Sequence, residues 1–144
     1  MKAINTYLNF DGQTREAMTF YAKCLDAELT MQTFTDVGMN MPGGEDRIVH
    51  ARLSKGGSAN VIMASDSQPG QPVTVGNNVW ISVDSDDQAE QDRQFQALSE
   101  GGQVIMPLDN TFWGSKIRHA ARQVRTRLDV QPRAAKTGLT FQPG

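Results

Sequence analysis

Cysteine is nearly absent from this chain of 144 residues, with Cys24 standing alone. One thiol excludes an internal disulfide and thiolate-rich metal sites. No histidine lies near it in sequence, so Cys24 reads as a helix core residue rather than a nucleophile. Histidine is scarce as well, and two isolated copies, His50 and His119, do not build a catalytic or metal-binding cluster. No apolar run approaches membrane-spanning length, and the opening MKAINTYLNFDG lacks the apolar core of a secretory leader. The expectation is therefore a cytoplasmic protein with no membrane partner. A net charge of −2 gives the whole molecule no electrostatic reason to seek DNA or anionic lipid.

What is present suits one soluble domain: 38% apolar residues suffice for a core, and 21% charged residues argue against a disordered chain. Ile4, Thr6, Leu8 and Phe10 alternate with Ala3, Asn5, Tyr7 and Asn9, the period of a strand, until Asp11-Gly12 breaks it. Ala17, Phe20, Tyr21, Cys24 and Leu25 then recur on one stripe of a helix. Polar, Gly-rich turns lead to strands at Arg47–Leu53 and Asn60–Ser65, joined by the hairpin signal Lys55-Gly56-Gly57.

The same order then restarts. Val79, Ile81 and Val83 alternate with Asn78, Trp80 and Ser82. Ser85-x-x-Gln88 has the form of a capping box, and Asp86-Asp87 complement the positive end of the helix that follows. That helix carries Phe95 and Leu98 on its inner side and ends at Gly101-Gly102. Adding 73 maps Asn5 to Asn78, Tyr7 to Trp80, Leu8 to Ile81, Asp11 to Asp84 and Leu25 to Leu98. The pattern implies a duplicated β-α-β-β-β unit. The first copy occupies about residues 1–70 and the second starts near 76, so two further strands are due before residue 139.

Residues 117–139 are not composed to supply them. Arg118, Arg122, Arg125, Arg127, Arg133 and Lys136 face Asp129 alone, a local +5 that leaves −7 on the first 116 residues. Ile117, Ala120, Ala121, Val124 and Leu128 fall at helical spacing, which gives a short basic amphipathic helix on one reading. Basic helices invite nucleic acid or membrane surfaces, but no aromatic residue interleaves with these arginines, so nucleic acid is not the expected partner. A different origin is written in the genetic code. Codons permitted for Ile117 to Lys136, read one base later, spell FGMLRDKFGRAWMFNHELPK. That string has a D-K-F-G turn and a W-M-F-N strand, the hairpin the duplication lacks. The expectation is a compact domain over 1–116 and an atypical basic tail over 117–144 produced by a shifted frame.

Seven segments carry a family resemblance: YLNFDG at 7–12, EAMTFY at 16–21, IVHARL at 48–53, IMASD at 62–66, VWISVD at 79–84, ALSEGG at 97–102 and MPLDNTFWGSK at 106–116. Together they resemble the PhnB-like branch of the vicinal oxygen chelate superfamily, whose relatives are glyoxalases, bleomycin-resistance proteins and dioxygenases. The resemblance implies an α+β fold of paired βαβββ modules around a concave pocket, usually in a homodimer, with the second module incomplete here. It also implies helices on the outer faces, so that Leu8, Phe10, Ile81 and Val83 point toward them. The inner faces would hold Asn5, Tyr7, Asn9, Asn78, Trp80 and Ser82.

Asn5 and Asn78 stand about where metal-using relatives place histidines, and neutral amides are poor transition-metal ligands. Neither a metal nor a cofactor is expected. The pocket candidates are Asn5, Tyr7, His50, Met63, Ser65, Asn78, Trp80, Ser82 and Trp113, with no catalytic residue assigned. Each has a plainer role. His50 suits a hydrogen-bonded strand, Asp66 a turn, Met39, Met41, Met63 and Met106 core filling, and Trp80 and Trp113 packing. The expected function is binding of a small organic molecule without metal. The alternatives are a metal-dependent lyase or dioxygenase, the demethylubiquinone methyltransferase label this branch sometimes carries, and a nucleic-acid-binding tail. The glycine pairs at 43–44, 56–57 and 101–102 lack the strand-to-helix context of a methyl-donor site, which counts against the label.

Overall fold

The computed structural model describes residues 3–57, 60–76, 79, 81–83, 85–100 and 122–123. Its elements are β1 (Thr6–Phe10), α1 (Thr14–Leu25), β2 (Glu28–Thr33), β3 (Ile48–Lys55), β4 (Asn60–Asp66), β5 (Ser82–Val83), α2 (Gln88–Ser99) and β6 (Arg122–Gln123). The first four strands form one mixed sheet in the order β1-β4-β3-β2. β1 runs parallel to β4, while β2–β3 and β3–β4 are antiparallel. This is a complete βαβββ unit. No helix among the described residues is long and apolar enough to cross a membrane.

Alternation along β1 decides what it covers. Leu8 and Phe10 pack toward the core while Tyr7 and Asn9 stay exposed on the opposite face. Opposite them on β4, Ala64 and Asp66 are buried. α1 lies over this face and buries Thr14, Ala17, Met18, Tyr21, Cys24 and Leu25. Phe20, expected on the inner stripe, is only half-buried, and Met18 is fully enclosed in its place. Cys24 lies in the core, where burial and nearby Glu100 push its thiol above the usual range. It is a packing residue.

β2 is the strand that sequence alternation did not single out. Its inward positions carry only Leu29 and Met31 as apolar residues, between exposed Glu28, Thr30 and Gln32. A register shift between Gln32 and Thr33 pairs them with His50 and Ile48, which leaves Val49 as an extra residue on β3. The bulge explains why Ile48 and Ala51 both reach the core although they lie three positions apart. β3 continues past Leu53 to Lys55, where Gly56 and Gly57 turn the chain with φ of 68° and 91°. Side-chain-bearing residues avoid that conformation.

Asp66 is the fastening of the unit. Its Oδ1 accepts from the backbone N–H groups of Gly12 and Thr14, each at 3.0 Å, and from the Thr14 hydroxyl at 2.7 Å. Its Oδ2 accepts from the Ile48 N–H at 2.8 Å. The N-cap residue Gln13 makes no side-chain capping bond, so a carboxylate from β4 caps the start of α1. The turn role expected of Asp66 is replaced by one that joins β4, the β1–α1 loop and β3. At the other end of α1, Asp26 adopts a left-handed conformation (φ 51°, ψ 55°) and Lys55 Nζ donates to the Leu25 carbonyl at 2.7 Å.

The helix of the second half begins at Gln88, and its cap is Asp87 rather than Ser85. The Asp87 carboxylate accepts from the N–H groups of Ala89 and Glu90. Ser85 instead donates to Glu90 Oε2 at 2.8 Å and accepts from the Asp87 N–H at 3.2 Å. Leu98 reaches the same core cluster as α1, whereas the other buried positions of α2 are Gln91 and Gln94. β5 pairs antiparallel with β6, Ser82 opposite Gln123 and Val83 opposite Arg122. The basic segment is therefore extended at these two residues, not helical. A faithful copy of the first unit would give β5 a parallel neighbour, as β1 has in β4.

Candidate functional site

α1 covers one face of the sheet, no helix among the described residues covers the other, and the strand register states what that open face presents. β1 contributes Tyr7 and Asn9, which pair with Met63 and Ser65 of β4. Met63 in turn pairs with Arg52 of β3, and Arg52 with Thr30 of β2. His50 pairs with Gln32. The two inner strands therefore display Met63, Ser65, His50 and Arg52, with Tyr7 and Asn9 along one side.

Tyr7 is 52% exposed, and its ring centroid lies 6.2 Å from that of His50 at 38° between planes. The two rings reach toward each other over β4, which lies between their strands. Ser65 Oγ donates to Asn9 Oδ1 at 3.0 Å, which fixes the amide's direction. Arg52 is half-buried and donates from Nη1 to Ser54 Oγ at 3.0 Å. The result is a shallow floor of two rings and a thioether, edged by a guanidinium, hydroxyls and an amide. Such a surface can hold a flat organic molecule and hydrogen-bond its polar end.

Four candidates from the sequence, Tyr7, His50, Met63 and Ser65, meet on this face. Asn5 does not join them. It lines a separate groove of about 680 Å³ between the sheet and α2, together with Leu53, Lys55, Ile81, Val83 and Glu90. In that groove Lys55 Nζ meets Glu90 Oε1 at 2.8 Å, and the bonds from Lys55 and Ser85 hold the Glu90 carboxyl below its ordinary range. Ser82 lies in β5, outside the four-stranded sheet. Asn78, Trp80 and Trp113 lie outside the described residues, as does Met106. Met39 is exposed in the 34–47 loop and belongs to no strand.

Arg52 was missed by sequence reading. Its signal was available, because it shares the alternation of IVHARL with His50 and must face the same way. Arg47, another omission, has a structural task. It pairs with Asp11 at 2.6 Å and donates from Nε to the Ser67 carbonyl at 3.0 Å, clamping the loop that precedes α1. Among the described residues no three His, Cys, Asp or Glu side chains are grouped to hold a metal.

A βαβββ unit with one helix-covered and one open face defines an α+β protein of the glyoxalase type. The solved structures bear this out. Protein PA1353 from Pseudomonas aeruginosa superposes with a TM-score of 0.70 and is 39% identical, over 78% of this chain and 84% of that one. The PhnB protein from Bacillus cereus gives a TM-score of 0.60 and 29% identity, over 74% and 80%. Within that class, the chain belongs to the PhnB-like family whose model, described as 3-demethylubiquinone-9 3-methyltransferase, matches residues 2–124. Protein YjdN of Escherichia coli K12 is 29% identical over 122 residues, spanning 76% of this chain and 81% of its own length.

Proposed function

We propose that this protein binds a small organic molecule on the open face of the β1–β4 sheet, without a divalent metal, as a cytoplasmic homodimer. The convergence of Tyr7, His50, Met63, Ser65 and Arg52 on that face carries the reading. The donor chemistry supports the metal-free part. One imidazole beside a phenol, a thioether, hydroxyls and amides falls short of the imidazole, thiolate and carboxylate sets that transition metals select. Elemental analysis of protein purified without chelator tests it, and stoichiometric zinc, nickel, manganese or iron would instead favour a metal-dependent lyase or dioxygenase.

The family description favours a second reading, methyl transfer. That activity requires a site for a sulfonium methyl donor beside the acceptor. Equilibrium dialysis with labelled donor separates the readings, since saturable binding belongs only to the transferase.

We also propose that the chain from about residue 117 descends from a shifted reading frame. The alternative frame spells a hairpin where the duplication requires one, and β6 offers β5 an antiparallel partner where a parallel one is due. Sequencing the coding DNA decides this. Codons at 117–136 unable to spell the alternative would remove it.

A further inference from the structure

We infer that the molecule held on the open face is an organic anion with a planar body, its carboxylate or phosphonate gripped by Arg52; this rests on the small-molecule reading above. Arg52 sits on an inner strand, flanked by Met63 of β4 and Thr30 of β2. Its only hydrogen bond from the guanidinium among the described residues goes to Ser54 Oγ. No carboxylate among those residues lies within ion-pair distance of it, since the two ion pairs are Arg47–Asp11 and Lys55–Glu90.

Neither acid carried by the four strands forms an ion pair with it. Asp66 is on the covered face with both oxygens engaged. Glu28 shares the face of Arg52, two positions along β2 from Thr30 and opposite Ser54, but it is exposed and forms no ion pair with the guanidinium. The guanidinium has five N–H donors in a planar fork, so four remain for an acceptor of matching shape. Carboxylates and phosphonates have that shape and the opposite charge.

The same row of residues sets the rest of the ligand. Tyr7, Met63 and Arg52 occupy successive positions across β1, β4 and β3. Strands lie about 4.8 Å apart, so the backbone positions of Tyr7 and Arg52 stand about 10 Å apart. One aromatic ring bearing an anionic group spans that interval. Its flat body would rest over Met63, beside the paired rings of Tyr7 and His50.

The test is a nuclear magnetic resonance titration of the full chain with benzoate, phenylphosphonate and the neutral isostere benzamide. The anions should shift the Arg52 Nε–H signal and the backbone amides of Tyr7 and Met63, with benzamide about tenfold weaker. Arg52→Gln should remove that preference, and Arg52→Lys should recover part of it by charge without the fork. The three probes on the unmodified chain are decisive even if a variant does not fold. Benzamide binding as tightly as benzoate overturns the anion inference and leaves small-molecule binding standing. No shift with any probe, or shifts of these amides on concentrating the protein alone, overturns both, the latter because a second copy then covers the face.

Discussion

The two helices of this molecule have the same length and stand 74 positions apart, yet they are built into it differently. α1 and α2 are each 12 residues long. α1 buries six side chains against a four-stranded sheet and is capped from outside by Asp66. α2 caps itself with Asp87 and buries three, of which Gln91 and Gln94 are polar. Among the described residues, α2 meets the first unit through Leu98 in the shared core, Ala97 packed against it, and the Lys55–Glu90 pair. Equal periodicity therefore does not give equal anchoring. A helix is fixed by the sheet it covers, and the first unit supplies that sheet in full.

Attacks on this difference can be ranked by expected size. Asp66→Ala should cost the most, about 3–5 kcal/mol in urea unfolding, because it strands three backbone N–H groups and a hydroxyl in the interior. A loss below 1 kcal/mol would mean that water replaces the carboxylate. Next, Met18→Ala should cost about 3–4 kcal/mol and Leu98→Ala about 2–3 kcal/mol, since a fully enclosed side chain leaves the larger cavity. Equal losses would erase the contrast between the helices. Asp26→Gly should stabilise the protein by about 0.5–1 kcal/mol by relieving a left-handed residue at the end of α1.

The smallest effect concerns the contact between the halves. The Glu90 carboxyl is held low by hydrogen bonds from Lys55 and Ser85, then by the Lys55 charge. A depressed carboxylate contributes stability that is complete above its unfolded value, about 4.3, and lost as pH falls through the lower folded value. The unmodified protein should therefore exceed Glu90→Gln in melting temperature at neutral pH, with the gap closing below that range. Asp36, also lowered by its bonds with Thr33, is common to both chains and cancels in the difference. A gap that persists to pH 2 would show that the ionised pair is not its source.

Much of the first unit was legible because its strands and helix follow simple periods. Leu8 and Phe10 against Tyr7 and Asn9 give both the strand and its two faces, and with them the side on which Tyr7 is found. β2 was faint because Thr30 and Gln32 carry no apolar contrast beyond Leu29 and Met31. The cap of α2 was misplaced by two residues because Ser85, Asp86 and Asp87 all suit the role, and only the observed start at Gln88 separates them. The bulge at Val49 and the grip of Asp66 left no local trace, since both depend on strands meeting across the fold. For the candidate site, the alternation of IVHARL placed His50 and also carried Arg52, whose relevance emerged only once the register set it beside Met63.

One consequence of the Asp66 contacts concerns time. The first turn of a helix commonly frays, and its amide protons trade with solvent quickly. Here the Thr14 amide is held by a carboxylate 52 positions away in the chain. It cannot be released until β4 departs, so deuterium should enter Thr14 as slowly as it enters the middle of the sheet, making one proton at a helix tip a clock for the opening of the whole unit.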